Sequence, residues 1–499
     1  MKVKGFRRDG DPALHIAVVG HTNVGKTSLL RTLLRDVDFG EVSHRPSTTR
    51  HVEGAALRVG GEPLLVLHDT PGLEDGIGLR DELARLAQLP LTPTGATGER
   101  LDGPACIDAF LGSTQARGRY EQEAKVLRQL LAVQAGIYVI DVREPVLPKY
   151  RDELAVLAMA GKPLLPVFNF VRDAATHEAT WREVLARVGL HAAVRFDTVT
   201  PPVDGEQRLY GSLAVLLETA RPQLERLQAE LAGQARERRD QAAHLVAELL
   251  ADVAAARRLA ASDDAAVQAA VASLHDAVRE REQRCTQALL ALYAFRRGDA
   301  VAPGLPGFDG LWGDDLFNAE TLRQFGVRVG GGMAAGAAVG AGVDVMLAGL
   351  SLGTAALVGA LAGGAWQTVR SYGQRWWGRV QGERVLRVDE AVLRLLALRQ
   401  RLLLRALESR GHAAQDAVAI DAGAAGPSAS TAPWPGGRLP VPLDKARAHA
   451  SWSALNETDV RGALSRAARA AYQDPARQAQ VEALAHALQP PLFEAEPTA

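Results

Sequence analysis

At 499 residues the chain is too long for one hydrophobic core, and length alone favours about three domains. Lys and Arg number 57 against 58 Asp and Glu, so no global field draws it to nucleic acid, although local basic patches stay open. The 2 cysteines exclude a disulfide framework and fit a reducing compartment. No apolar run follows Lys2, Lys4, Arg7 and Arg8 before the first strand, so no signal peptide is predicted and the cytoplasm is the expected location.

Through about residue 220 the pattern alternates strand and helix, which predicts an α/β domain with a mainly parallel sheet and helices on both faces. The first strand, 16–19, opens onto Gly20-His21-Thr22-Asn23-Val24-Gly25-Lys26-Thr27-Ser28 and a helix over 27–36. Strand, glycine-bounded loop and helix are the context that the pattern G-x-x-x-x-G-K-[ST] requires. The two glycines let backbone N–H groups ring a polyphosphate, and the helix N-terminus adds its positive dipole end. Lys26 is expected to reach the β- and γ-phosphates, and the Thr27 hydroxyl to ligate Mg2+. A polar loop at 45–50 and a strand at 52–59 follow. The strand 64–68 then runs into Asp69-Thr70-Pro71-Gly72. An acid closing an apolar strand beside a phosphate loop can hold Mg2+, usually through water. Gly72 lets a backbone N–H approach the γ-phosphate, so this loop can sense whether that phosphate is present.

Residues 73–118 read as a long insertion rich in Gly, Pro and Thr clusters, either a lid or partner-binding element or a tolerated surface loop. Helices over 120–133 and 150–160, strands at 137–142, 164–168 and 194–196, and a helix over 209–220 complete the domain. Beyond it the chain reads as mostly α-helical. Leu224, Leu227 and Leu231, then Ala242, Leu245 and Leu249, recur at helical spacing over 221–261, and another helix fits 265–297.

The stretch 329–366 carries one charged residue, Asp344, and small residues four apart that let two helices approach closely. A hairpin turning near Asp344 is expected, either inserted at a membrane or packed as an Ala/Gly hairpin in a helical domain of 221–410. A long Arg-rich helix is read over 366–410, its basic face meeting solvent, anionic lipid or RNA. A flexible linker at 411–442 and a helical tail at 443–499 follow.

Gly20 to Thr27, Thr48-Thr49-Arg50 and Asp69 to Gly72 resemble the phosphate-side motifs of TrmE/Era-type bacterial GTPases over roughly the first 200 residues. The helical remainder resembles an uncharacterised C-terminal domain found fused to such GTPases. The resemblance implies GTP and GDP as ligands, hydrolysis involving Lys26, Thr49 and Gly72, and Mg2+ held by Thr27, Thr49 and Asp69. It also implies that Asn23 helps bind a K+ ion whose charge does the work of an arginine finger. Leu73 stands where Ras-like proteins place a water-orienting Gln, so a carboxylate such as Glu74, Asp75 or Asp81, a backbone group or a partner must serve, and intrinsic turnover is expected to be slow. On the base side Asn169 matches the family's N-K-x-D pattern. Phe170 replaces its Lys, Arg172 holds the Asp position, and Asp173 comes one residue late.

Three functions stay open on this reading. The first is a GTP-hydrolysing switch coupled to the helical domain, at a membrane surface or away from one. The second is a factor acting on tRNA or the ribosome, and the third a nucleotide-binding scaffold with little hydrolysis or relaxed base choice. No protein partner is identified by the residues.

Overall fold

The computed structural model describes residues 3–4, 12–35, 53–87, 101–173, 176–202, 204–295, 317, 343–347, 384–409, 434, 439–456 and 466–493. The expectations for Thr49, for the loop at 45–50 and for most of 329–366 and 411–442 lie outside these residues. The chain divides into two compact units, one of Met1–Ala235 with Glu408–Asp416 and the other of Arg236–Leu407 with Ala417–Ala499.

The first unit is built on a seven-stranded sheet. In chain order its strands are β1 (Val3–Lys4), β2 (Leu14–Val19), β3 (Glu53–Val59), β4 (Glu62–Asp69), β5 (Ala135–Asp141), β6 (Leu164–Asn169) and β7 (Val194–Arg195). The spatial order is β1-β3-β4-β2-β5-β6-β7. The pairs from β4 through β7 are parallel, whereas β3 lies antiparallel to β4 and β1 antiparallel to β3. Every residue of β2, β5 and β6 is buried, which is why these strands read as unbroken apolar runs instead of alternating ones.

The period of two still sorts their side chains. Ile16 and Val18 face one side with α1 (Lys26–Leu34), α7 (Gly205–Leu216) and the first turns of α8 (Arg221–Ala255). Ala17 and Val19 face the other, under α2 (Gly76–Ala87), α3 (Gly103–Gly112), α4 (Glu121–Ala132), α5 (Pro148–Met159) and α6 (Glu178–Arg187). The expected layering, a mainly parallel sheet covered on both faces, is what the chain forms.

The described parts of 73–118, residues 73–87 and 101–118, hold two helices where a loop is expected. Leu79, Leu83 and Leu86 give α2 a buried stripe, and Cys106, Ile107 and Phe110 do the same for α3. The run Asp102-Gly103-Pro104 reads as a turn but is a helix start: the Asp102 carboxylate accepts from Ala105 N at 2.9 Å, and Pro104 occupies the first turn. Helix α6, where no helix is expected, buries Trp181, Val184 and Leu185.

The second unit is largely helical, with a small sheet that the sequence pattern hid. Its described elements are the later turns of α8, β8 (Arg257–Ala260), α9 (Asp264–Leu292), β9 (Val343–Leu347), β10 (Arg384–Val388), α10 (Glu390–Ser409), α11 (Val441–Ala448), α12 (Arg466–Gln473) and α13 (Pro475–Phe493). Strand β10 is central, antiparallel to β8 and β9. Two expectations are corrected here. Asp344 lies within β9, paired with Arg387, and not in a turn between helices. Residues 384–388 form a strand before α10 starts, so the Arg-rich segment is not one helix from 366 to 410; Leu386 and Val388, two apart, turn inward. Among the described residues no helix is long and apolar enough to cross a membrane.

A buried ionic hub knits this unit. The fully buried Asp252 carboxylate accepts from Arg281 Nε at 2.7 Å, Arg477 Nη2 at 2.9 Å and Tyr472 Oη at 2.8 Å. Arg477 also donates through Nε to Trp452 O at 2.9 Å. A second buried pair joins Glu282 to Arg399 at 3.2 Å. Such charges are tolerated inside because each finds opposite charge and hydrogen bonds.

Candidate functional site

Strands β2 and β4 lie side by side with Val18 opposite Asp69, so the loop after β2 and the acid ending β4 emerge together at the carboxyl edge of the parallel strands. Asn23 (φ 63°) and Gly25 (φ 95°) turn the loop back on itself, and α1 starts directly after Gly25 with no side chain capping its first N–H groups. Those N–H groups are left for an anion. Gly25 admits no side chain, because a Cβ would collide with the Asn169 amide.

Lys26 crosses the loop, donating to Gly20 O at 3.0 Å and His21 O at 2.6 Å. Two of its three N–H bonds are thus used to fix the ammonium over the loop. Burial lowers its pKa to about 8, against the opposing pull of Asp69, Glu153 and Glu74. Thr27 Oγ1 donates to Asp69 Oδ2 at 2.6 Å, which places two hard oxygen donors together at the start of α1. The donor set suits Mg2+.

The loop after Asp69 packs on the phosphate loop. Gly72 lies so close to Thr22 that a Cβ would come within 2.7 Å of its N and Cα. Leu73 N donates to Gly20 O at 3.3 Å, and the Leu73 side chain turns into the core. Glu123, buried on α4, accepts from the N–H groups of Glu74 and Asp75 at 3.2 and 3.1 Å. Of the three carboxylates expected nearby, Asp75 is engaged: Gly78 N at 2.8 Å and Arg119 at 2.7 Å hold its carboxyl below the usual range. Asp81 lies on the exposed face of α2, and Glu74 is exposed. Glu74 alone of these three carboxylates raises the Lys26 pKa by its charge.

Sequence reading missed one support of the loop and a histidine pair within the sheet. His21 Nδ1 lies 3.4 Å from Glu153 Oε2, and its Nε2 lies 3.0 Å from Lys149 Nζ, so α5 holds the loop from beneath. Burial pushes the Glu153 carboxyl up. His15 Nδ1 and His68 Nε2 meet at 2.9 Å inside the sheet, where burial and the neighbouring imidazole lower the His68 pKa to about 4. No local motif announces these contacts, because each partner comes from a distant element.

Asn169 stands at the junction of the phosphate and base sides. Its Nδ2 donates to Val24 O at 2.9 Å, and its Oδ1 accepts from Phe170 N and Thr198 N, each at 2.9 Å. Phe170 adopts a left-handed backbone, φ 58°. The Arg143 guanidinium stacks 3.8 Å from its ring centroid and is itself paired with Asp141 at 2.7 Å. Asp173 is exposed, with its N–H closing a turn onto Phe170 O at 3.4 Å. Gly20 to Ser28, Asp69 to Gly72 and Asn169 are thus brought together, while Asp173 stands at the rim and Asn23 is exposed at the loop tip.

A parallel sheet with this loop and this acid at its carboxyl edge defines a phosphate-loop nucleotide-binding domain. Residues 15–170 match the family model described as a 50S ribosome-binding GTPase. Residues 182–474, more than half of the chain, match the model of a domain of unknown function, DUF3482, and the chain belongs to that family. It is similar to the tRNA modification GTPase MnmE of Rhodospirillum rubrum, 47% identical over 91 residues, which are 17% of this chain and 19% of that protein. The MnmE of Acaryochloris marina is 33% identical over 121 residues, 24% of this chain and 25% of that protein. The chain therefore spans about a fifth to a quarter of the length of these curated relatives. Among solved structures, Era of Aquifex aeolicus bound to GDP·AlF4− is similar at 18% identity and a TM-score of 0.26, covering 37% of this chain and 50% of that one.

Proposed function

We propose that the chain is a Mg2+-dependent GTP-hydrolysing switch whose nucleotide state is relayed to its DUF3482 domain. The observation that carries this reading is the convergence of Lys26, Thr27 and Asp69 on the mouth of one loop, with Gly72 packed directly against Thr22. In this reading the loop N–H groups and the third Lys26 N–H bind the β- and γ-phosphates, and Thr27 with Asp69 holds the metal. Mg2+ bound there supplies charge neutralisation to the phosphates.

Gly72 and Thr49 are the residues that register the γ-phosphate. Glu123, by fixing the N–H groups of Glu74 and Asp75, sets where the chain leaves Gly72. Leu73 is buried and cannot orient water, so Glu74 is the carboxylate best placed to do so, and a low turnover follows. The exposed Asn23 amide offers its oxygen to K+ beside the phosphates, where the cation offsets developing negative charge.

The match covers about a fifth of the tRNA modification GTPase MnmE, and tRNA modification is not part of this proposal. Lys26→Ala in the full chain, titrated with a fluorescent GTP analogue, is expected to lose binding by about 100-fold or more, since it removes a buried charge aimed at phosphate. Unchanged affinity would remove the assignment.

A further inference from the structure

The phosphate half of the site follows a familiar pattern, but the base half is built from different chemistry. A guanine presents two adjacent donors on its pairing edge, the ring N–H and the amino group, so a site that selects it needs an acceptor pair such as a carboxylate. Here Arg172 holds that position, and a guanidinium has donors only. Of the three carboxylates nearby, Asp197 and Asp141 are committed elsewhere. Asp197, buried, accepts from Val199 N at 3.0 Å, Thr200 N at 3.1 Å and Arg172 N at 3.4 Å. Asp141 is bidentate with Arg143, at 3.0 and 2.7 Å. Asp173 lies at the exposed rim.

What the base side offers instead is a flat surface. Phe170 is held in a left-handed backbone that an aromatic residue rarely adopts, fixed there by the Asn169 Oδ1 bond to its N–H. Its ring carries Arg143 at 3.8 Å and reaches the phosphate loop at Gly25, where a Cβ would be 3.6 Å from Cζ. The ring remains half-exposed beside the loop that receives the phosphates. Stacking on such a surface accepts any purine, because every base has a π-face.

We infer that this site selects the triphosphate and does not select guanine among the purines: the base stacks at Phe170, backed by Arg143, and Arg172 donates to whatever acceptor the base edge presents. Adenine N1 and hypoxanthine O6 satisfy it as well as guanine O6 does. The inference rests on the nucleotide-switch reading above and names the substrate class of that same site.

The test is displacement of a fluorescent GTP analogue from the full-length protein in Mg2+ buffer by GTP, ATP and ITP. The three are expected to compete within about tenfold of one another, since stacking discriminates weakly. ATP binding weaker than GTP by about 100-fold or more would overturn the inference, because a hydrogen-bonded base edge rejects the wrong partner that strongly.

Phe170→Ala is expected to weaken GTP and ATP alike, by about 5- to 100-fold, and Phe170→Trp to restore both. A loss confined to GTP overturns the stacking role. Asp173→Asn is expected to leave all three ligands unchanged, whereas loss of GTP with gain of XTP would show a carboxylate reading the base and overturn the inference. Phe170→Lys combined with Arg172→Asp is expected to raise the GTP-to-ATP affinity ratio by about 100-fold. If no nucleoside triphosphate binds at all, the switch reading itself fails; if GTP binds and ATP does not, only this inference does.

Discussion

Asn169→Ala removes one side chain and releases three backbone groups at once. The Val24 carbonyl and the Thr198 N–H are buried and lose their partner, while the Phe170 N–H is half-buried and can recover water. An orphaned buried group costs roughly 1–3 kcal/mol, so the loss comes to about 3 kcal/mol. For a unit of this size that lowers its melting transition by about 6–12 °C.

The change is also local. The phosphate loop loses its tie to β6, and Phe170 loses the bond that holds its left-handed backbone, so nucleotide affinity is expected to fall by about tenfold. Calorimetry of the full-length variant with and without GTP and Mg2+ reads both effects. A transition within 1 °C or so of the wild type, with unchanged affinity, would refute the clamp, since no such estimate falls that low.

Gly72→Ala should leave GDP affinity within about threefold but slow phosphate release by about 100-fold, because the new methyl meets Thr22 where the loop must close over the γ-phosphate. Single-turnover hydrolysis separates the two readouts. Exchanging Na+ for K+ should speed hydrolysis in the wild type and not in Asn23→Ala; equal rates in both salts would remove the cation role. Arg477→Leu strips Asp252 of one of its two arginines and should destabilise the second unit by about 3–5 kcal/mol, seen as an early calorimetric transition or loss of soluble protein.

The site was legible in the sequence where its chemistry is local and hidden where it is assembled. Gly20 to Thr27 and Asp69 to Gly72 announce themselves because a phosphate cradle needs particular residues at fixed spacing after an apolar strand. The sheet was legible for a related reason: strands buried on both faces leave continuous apolar runs at β2, β5 and β6.

Glu123, Lys149, Glu153 and Arg143 were not legible. Each acts on a loop 20 or more positions away, and the helix or turn that carries it is ordinary. Helix α3 was masked by the Asp-Gly-Pro sequence, which serves turn and helix start equally well. Strand β10 was masked by arginine: Arg-Val-Leu-Arg-Val does not alternate in polarity, and its setting among Arg- and Leu-rich residues reads as helix, although Leu386 and Val388 are buried two apart. Long basic side chains can flank a buried strand because their stems cover apolar surface while their heads reach water.

The Asp252 hub also bears on how the protein is made. Its partner Arg477 lies 225 positions later in the chain, and Tyr472 lies 220 positions later. The core around them draws Leu484, Leu488 and Leu492 from α13. During synthesis the nucleotide-binding unit can complete its sheet soon after β7 emerges. The second unit must wait until α13 has left the ribosome, with Asp252 and Arg281 hydrated and unburied meanwhile. For that interval a finished nucleotide-binding unit is tethered to an unfinished partner. Any chaperone demand should therefore fall on the second unit, and a chain cut before residue 472 should leave it unable to close.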